Sequence, residues 1–117
     1  MPYTLGFGHP LDLTSHFGDH VVLKKEFPHI MTEAEYLYYA DKFLGEPLNP
    51  KTTKQCKRFK RDGIRWDWIR YNKVTHEYGI LSQDNVILSY YIANPLEHGW
   101  KTNLDYFNWD CKRKKKR

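Results

Sequence analysis

Two imidazoles four residues apart, His16 and His20, are the side chains of this sequence best suited to chemistry. On a helix that spacing sets both rings on one face. An unperturbed imidazole changes charge near pH 6.5, so one neutral and one protonated ring coexist around neutrality. Cleaving an RNA backbone without a metal needs that combination: one group removes the 2′-hydroxyl proton, and an acid or cation steadies the departing oxygen. His76, at the start of a strand, and His98, beside Gly99 in a loop, are rival proton carriers. Paired neutral imidazoles also bind zinc, and His29 or Asp19 would have to complete such a site. Phe17 stands where a zinc protease carries its glutamate, and no metal or cofactor is expected.

Charge narrows the partners. The 117 residues hold 19 Lys and Arg against 14 Asp and Glu, a formal net of +5. Residues 112–117 are all basic, and without them the balance is 13 against 14. Nine of the cations fall within residues 51–73, against Asp62 and Asp67 alone, whereas residues 1–50 and 74–111 each net −4. A positive band on a slightly acidic body suits a phosphate-binding groove, with Arg65 and Lys73 as candidate substrate contacts. It equally suits an acidic protein partner or a solvated, salt-laced pair of strands. The basic tail reads as a solvated end, although it could also bind RNA or acidic lipid, or resemble a nuclear signal.

Cys56 and Cys111 are too few for a zinc signature and are expected as reduced core thiols, unless the strands that carry them are neighbours. No apolar run reaches the roughly 18 residues of a membrane span, and the first 20 residues lack a signal peptide's basic start and apolar stretch. The chain is therefore expected to work in a cytosol, or to be the excised end of a larger exported protein.

The elements that must position the histidines follow from periodicity. Residues 1–10, with Gly6, Gly8 and Pro10, read as a loop or arm. In residues 11–27, Leu13, Phe17, Val21 and Lys24 recur at helical spacing, weakened by Gly18 and the β-branched pair Val21 and Val22. A second helix opens on a capping box, Thr32 to Glu35, carries Tyr36, Leu37, Ala40, Phe43 and Leu44 as an apolar stripe, and stops at Gly45 and Pro47. The period then changes to two. Segments 56–60 and 64–71 pair across Asp62 and Gly63, then 76–81 and 86–92 follow through short turns. Residues 94–103 read as a loop and 104–109 as a last short strand or turn. The predicted fold is α+β, with two N-terminal helices packed on a twisted antiparallel meander of four to five strands, in a single domain over residues 11–111. Nine Tyr, six Phe and four Trp must supply much of its core. Trp66 and Trp68, on one strand face, are either core or platforms for bases.

These pieces occur in a particular order. His16 and Phe17 with His20 come first, then Glu35, Tyr36, Tyr39, Ala40 and Phe43 on a helix. Ile69-Arg70-Tyr71-Asn72, Glu77-Tyr78-Gly79-Ile80-Leu81 and Ile87-Leu88-Ser89-Tyr90-Tyr91 follow as strands, and Asn103-Leu104-Asp105-Tyr106-Phe107 closes the domain. Over about residues 11–109 the series resembles the C-terminal toxin domains of contact-dependent inhibition and other polymorphic bacterial toxins, in the barnase, EndoU, colicin and RelE superfamily of ribonucleases.

The resemblance implies the same fold and a metal-independent ribonuclease, often directed at tRNA. It also implies secretion as part of a larger effector, action in the target cell's cytoplasm and a cognate immunity protein; a host activating factor is a further partner to test. The family's paired histidines match His16 and His20, its strand cation matches Arg70, and its late strand hydroxyl matches Ser89, where threonine is commoner. In that arrangement Arg70 holds the phosphorane while the histidines move protons. Ser89 and Tyr91, on one strand face, bind phosphate oxygens, or Tyr91 stacks on a base. His98 lies in the segment similar to the closing motif and is kept as a substrate contact. The rivals are a non-catalytic RNA- or protein-binding module, and a RelE-type toxin that cuts mRNA on the ribosome.

Overall fold

The computed structural model describes residues 3–113. Among them α1 (Pro10–Phe17) runs into a π-helical turn (Gly18–Leu23), and α2 (Glu33–Gly45) follows. Strands β1 (Thr53–Phe59), β2 (Trp66–Asn72), β3 (Glu77–Ser82) and β4 (Ile87–Ile92) come next, then α3 (Pro95–His98) and α4 (Asn103–Lys112). The strands form one antiparallel meander in the order β1-β2-β3-β4. The fold is thus α+β, with a four-strand antiparallel sheet and two helices near the N-terminus.

Alternation along the strands divides the side chains between two layers. On one face Trp68, Arg70, Gly79, Leu81, Ile87 and Tyr90 look toward α2, whose Tyr36, Ala40, Phe43 and Leu44 are buried at helical spacing. Gly79 is required there, because a Cβ on it would come within 2.7 Å of Leu44. On the other face Ile69, Tyr71, Tyr78, Ile80, Ser89 and Tyr91 look toward α4. The α2 capping box is present, with Thr32 and Glu35 each bonded to the other's backbone.

Two sequence expectations are corrected. Residues 104–109 are helical, because Thr102 caps Asp105 and the buried Asn103, Phe107 and Asp110 share one helix face. Cys56 and Cys111 form a disulfide: β1 and α4 are neighbours, with Cα atoms 6.0 Å apart. Residues 3–9 form a loop, as expected, and it is docked. Phe7 bridges Ile87 at the outer edge of β4, and the buried Asp41 accepts from both the N–H and hydroxyl of Thr4. Residues 1, 2 and 114–117, which include most of the basic tail, lie outside the described residues.

Buried charge clamps α4 from below. Arg58 is fully enclosed between Asp110 of α4 and Asp67 of β2, and Tyr78 donates to Asp110 at 2.7 Å. Such a cluster persists because removing one partner would strand a charge in the core.

Candidate active site

The first helix delivers its histidines to the edge of β4 through a change of pitch. Beyond Phe17 the Lys24 N–H donates to the carbonyl of Asp19, five residues back, at 3.0 Å. Gly18, Val21 and Val22 are poor α-helix formers, and the wider π turn changes which residues face inward. His20 is only 8% exposed, whereas His16 is half-buried. The two rings stack with centroids 5.7 Å apart.

Three neighbours fix His20. Its Nδ1–H donates to Glu26 Oε2 at 3.1 Å, its ring stacks on Tyr91 at 5.4 Å, and Nε2 lies 3.7 Å from Asp19 Oδ2. Glu26 is held in turn, its Oε1 accepting the Ile92 N–H of β4 at 2.8 Å. With Nδ1 committed as donor, the neutral ring carries its lone pair on Nε2, and the Glu26 bond survives when Nε2 gains a proton. Burial, reinforced by the charge of His20, holds the His16 imidazole below its ordinary value of 6.5, with Asp12 and Asp19 opposing. His16 is therefore more readily neutral than an unperturbed imidazole.

His20 lines a cleft of about 280 Å³ together with Ser89, Tyr91, His98, Tyr106 and Lys24. Four sequence candidates, His20, Ser89, Tyr91 and His98, thus meet in one place. His16 adjoins them through the ring stack and lines a shallower hollow with Thr14 and Asp19. Ser89 and Tyr91 reach the cleft because they sit opposite Ile80 and Tyr78 on the α4 face of the sheet. The Tyr91 hydroxyl pairs with that of Tyr106 at 3.0 Å. Burial first, and Tyr106 second, push its ionisation far above the usual phenol range, so Tyr91 acts as a neutral hydrogen-bonding group and a stacking face.

His98 lines the cleft as a wall. Its Nδ1 accepts from the Trp100 N–H at 3.0 Å, which leaves Nε2–H to donate to Asn103 Oδ1 at 2.8 Å. Its ring lies flat on Tyr106, 4.2 Å between centroids. Both nitrogens are thus engaged within the fold, and the ring lines the cleft. His76, in the turn after β2, has its Nδ1 engaged by the Tyr71 hydroxyl and the Asn103 amide.

Arg70 does not join this cleft. It pairs with Gly79, which pairs with Tyr90, so it faces α2, whereas Ser89 and Tyr91 face α4. A one-residue difference in strand phase puts it on the opposite side of the sheet. Arg65 is also elsewhere, tied to Asp62 at 2.9 Å in the hairpin after β1, and Lys73 is exposed in the turn after β2. Three other cations of residues 51–73 are engaged in the fold. Arg58 is buried, Arg70 is enclosed on the α2 side, and Lys57 lies over the Trp66 and Trp68 rings at 4.4 and 5.1 Å. Lys24 is the cation that lines the His20 cleft, bonded to Glu97 at 3.1 Å and 3.5 Å from Asp19. Asp62, holding two backbone N–H groups and Arg65, is pulled down to about 2.

Glu26 is the residue that sequence reasoning missed. Six positions beyond His20, it would lie about 120° away round an α-helix, and only the π turn with the left-handed Lys25 (φ 53°) folds it back. His29 does not complete a metal site with the pair, since it stands edge-on to Tyr39 beside α2. Among the described residues no three His, Cys, Asp or Glu side chains are grouped to hold a metal ion. Compared with models of known protein families and with curated proteins, the chain finds no match.

Proposed function

We propose that this chain is a metal-independent endoribonuclease of the polymorphic-toxin kind, acting on tRNA or another structured RNA. The observation that carries the reading is His20. Its Nδ1 is held by Glu26, its ring stacks with His16 and Tyr91, and it opens onto a cleft that Ser89 also lines. A histidine whose tautomer and plane are fixed by a carboxylate is organised for proton transfer.

In the reaction His16, held neutral, removes the 2′-hydroxyl proton. The 2′ oxygen attacks phosphorus, the bond from phosphorus to the 5′ oxygen breaks, and His20 protonates that oxygen. The ends are a 2′,3′-cyclic phosphate and a 5′-hydroxyl. Ser89 and Lys24 take the place assigned in sequence to Arg70, donating to the phosphate oxygens as charge develops. The reading carries with it delivery by a larger secreted protein and a cognate immunity protein over the cleft.

The rival is a non-catalytic RNA- or protein-binding module, favoured by the engagement of Lys24 with two carboxylates. Incubating the domain with total bacterial RNA and with purified tRNA, each with EDTA, separates the two. His20→Ala and His16→Ala should each lower cleavage by about 10²-fold or more while RNA binding persists. Uncut RNA with the unaltered protein, or cutting that needs ribosomes, overturns the tRNase reading.

A further inference from the structure

A second cleft, of about 550 Å³, opens on the α2 side of the sheet, and Arg70 lines it. The side chain is 8% exposed. Its Nε donates to Gln55 Oε1 at 2.7 Å, and Nη1 donates to the main-chain carbonyls of Phe43 and Glu46 at 2.9 and 2.7 Å. These bonds fix the guanidinium plane. Among the described residues Nη2 has no hydrogen-bond partner, and no carboxylate comes within ion-pair distance of the group. Burial lowers the Arg70 pKa, with Glu46 opposing it from a distance. An enclosed cation whose hydrogen bonds all go to neutral acceptors is costly, and an anion would relieve that cost.

The surroundings describe the rest of the ligand. Lys42 adds a second cation, and Tyr39 and His29 stand edge to face at 5.0 Å as an aromatic wall. The Glu46 carboxylate, which no hydrogen bond engages among the described residues, supplies an acceptor. The volume is that of an ordinary small-molecule site.

We propose that this cleft binds a nucleotide, its phosphate on Arg70 Nη2 and Lys42, its base against Tyr39 and His29, and an exocyclic amine donating to Glu46. The site does not depend on His20 being catalytic. The two clefts share one wall, because Glu26 lines this one while its carboxylate holds His20 beside the other.

Calorimetric titration of the full chain with 5′-nucleoside monophosphates tests the assignment, with inorganic phosphate and unphosphorylated nucleosides as controls. The monophosphates should bind at least about tenfold more tightly than either control. Arg70→Gln and Lys42→Ala should each weaken them by about tenfold, the worth of one charge-assisted hydrogen bond, and His20→Ala should leave binding unchanged. Arg70 also ties α2 to the sheet, so if Arg70→Gln unfolds, the exposed Lys42→Ala and the wall variant Tyr39→Leu decide. Competition by a short single-stranded RNA would mark the ligand as a nucleotide of a polymer. Its failure to compete would mark a free nucleotide, and both keep the site. No monophosphate binding at about 10 mM, phosphate binding as tightly as the nucleotide, or loss in His20→Ala with none in Lys42→Ala would overturn it.

Discussion

Replacing both Cys56 and Cys111 by serine should lower stability strongly while leaving the folded site intact. The bridge spans a sequence separation of 55 residues. For a loop of that length the chain-entropy relation gives about 14 cal/mol/K, or about 4 kcal/mol at 25 °C, acting on the unfolded chain. In the folded state α4 keeps other attachments: Phe107 in the second core cluster, and Asp110 paired with Arg58 and bonded to Tyr78. Tyr106 therefore stays beneath Tyr91. Urea unfolding followed by tryptophan fluorescence should show the midpoint falling by about 2–3 M, for a slope near 1.5 kcal/mol/M. Cleavage in buffer should stay within about twofold of the unaltered protein. A stability loss below about 1 kcal/mol, or a change in near-ultraviolet dichroism or activity without denaturant, would refute the reasoning, because the bridge would then be holding the native α4 in place.

Two further outcomes concern the histidines. Glu26→Gln keeps the side chain's volume but removes the charged acceptor at His20 Nδ1, and should lower RNA cleavage by about 10²-fold with the circular dichroism unchanged; full activity would show that the carboxylate does not position the ring. Since burial lowers the folded-state pKa of His16 below 6.5, its contribution to stability is present above that pH and is lost as pH falls from 6.5 through the folded-state value. Proton resonance should titrate His16 with a midpoint under 6.5, and His16→Gln should flatten the acid side of the stability curve; a midpoint at or above 6.5 contradicts the burial argument.

Much of the scaffold was legible as periodicity. The capping box at Thr32 and Glu35, the apolar stripe of α2 and the two-residue alternation that sets Ser89 and Tyr91 on one face are local patterns, and they appear in the fold as read. The helix at residues 103–112 was legible too, in Thr102 with Asp105 and in the spacing of Asn103, Phe107 and Asp110. Arg70 shows where local pattern ends. Alternation places it on the face of Trp68, but only the pairing through Gly79 to Tyr90 shows that this face is opposite to that of Ser89.

By itself the sequence determined α2, the four strands in their order, the antiparallel meander and the proximity of His16 to His20, because each of these depends on neighbours within a few residues. Tertiary structure alone decided that Glu26 orients His20, that Cys56 meets Cys111, that His98 spends its nitrogens on Trp100 and Asn103, and that Arg70 belongs to a separate cleft. Those outcomes turn on the pitch of one irregular turn and the register of the strands. Small rotations there carry side chains to different faces, and no short-range pattern records them.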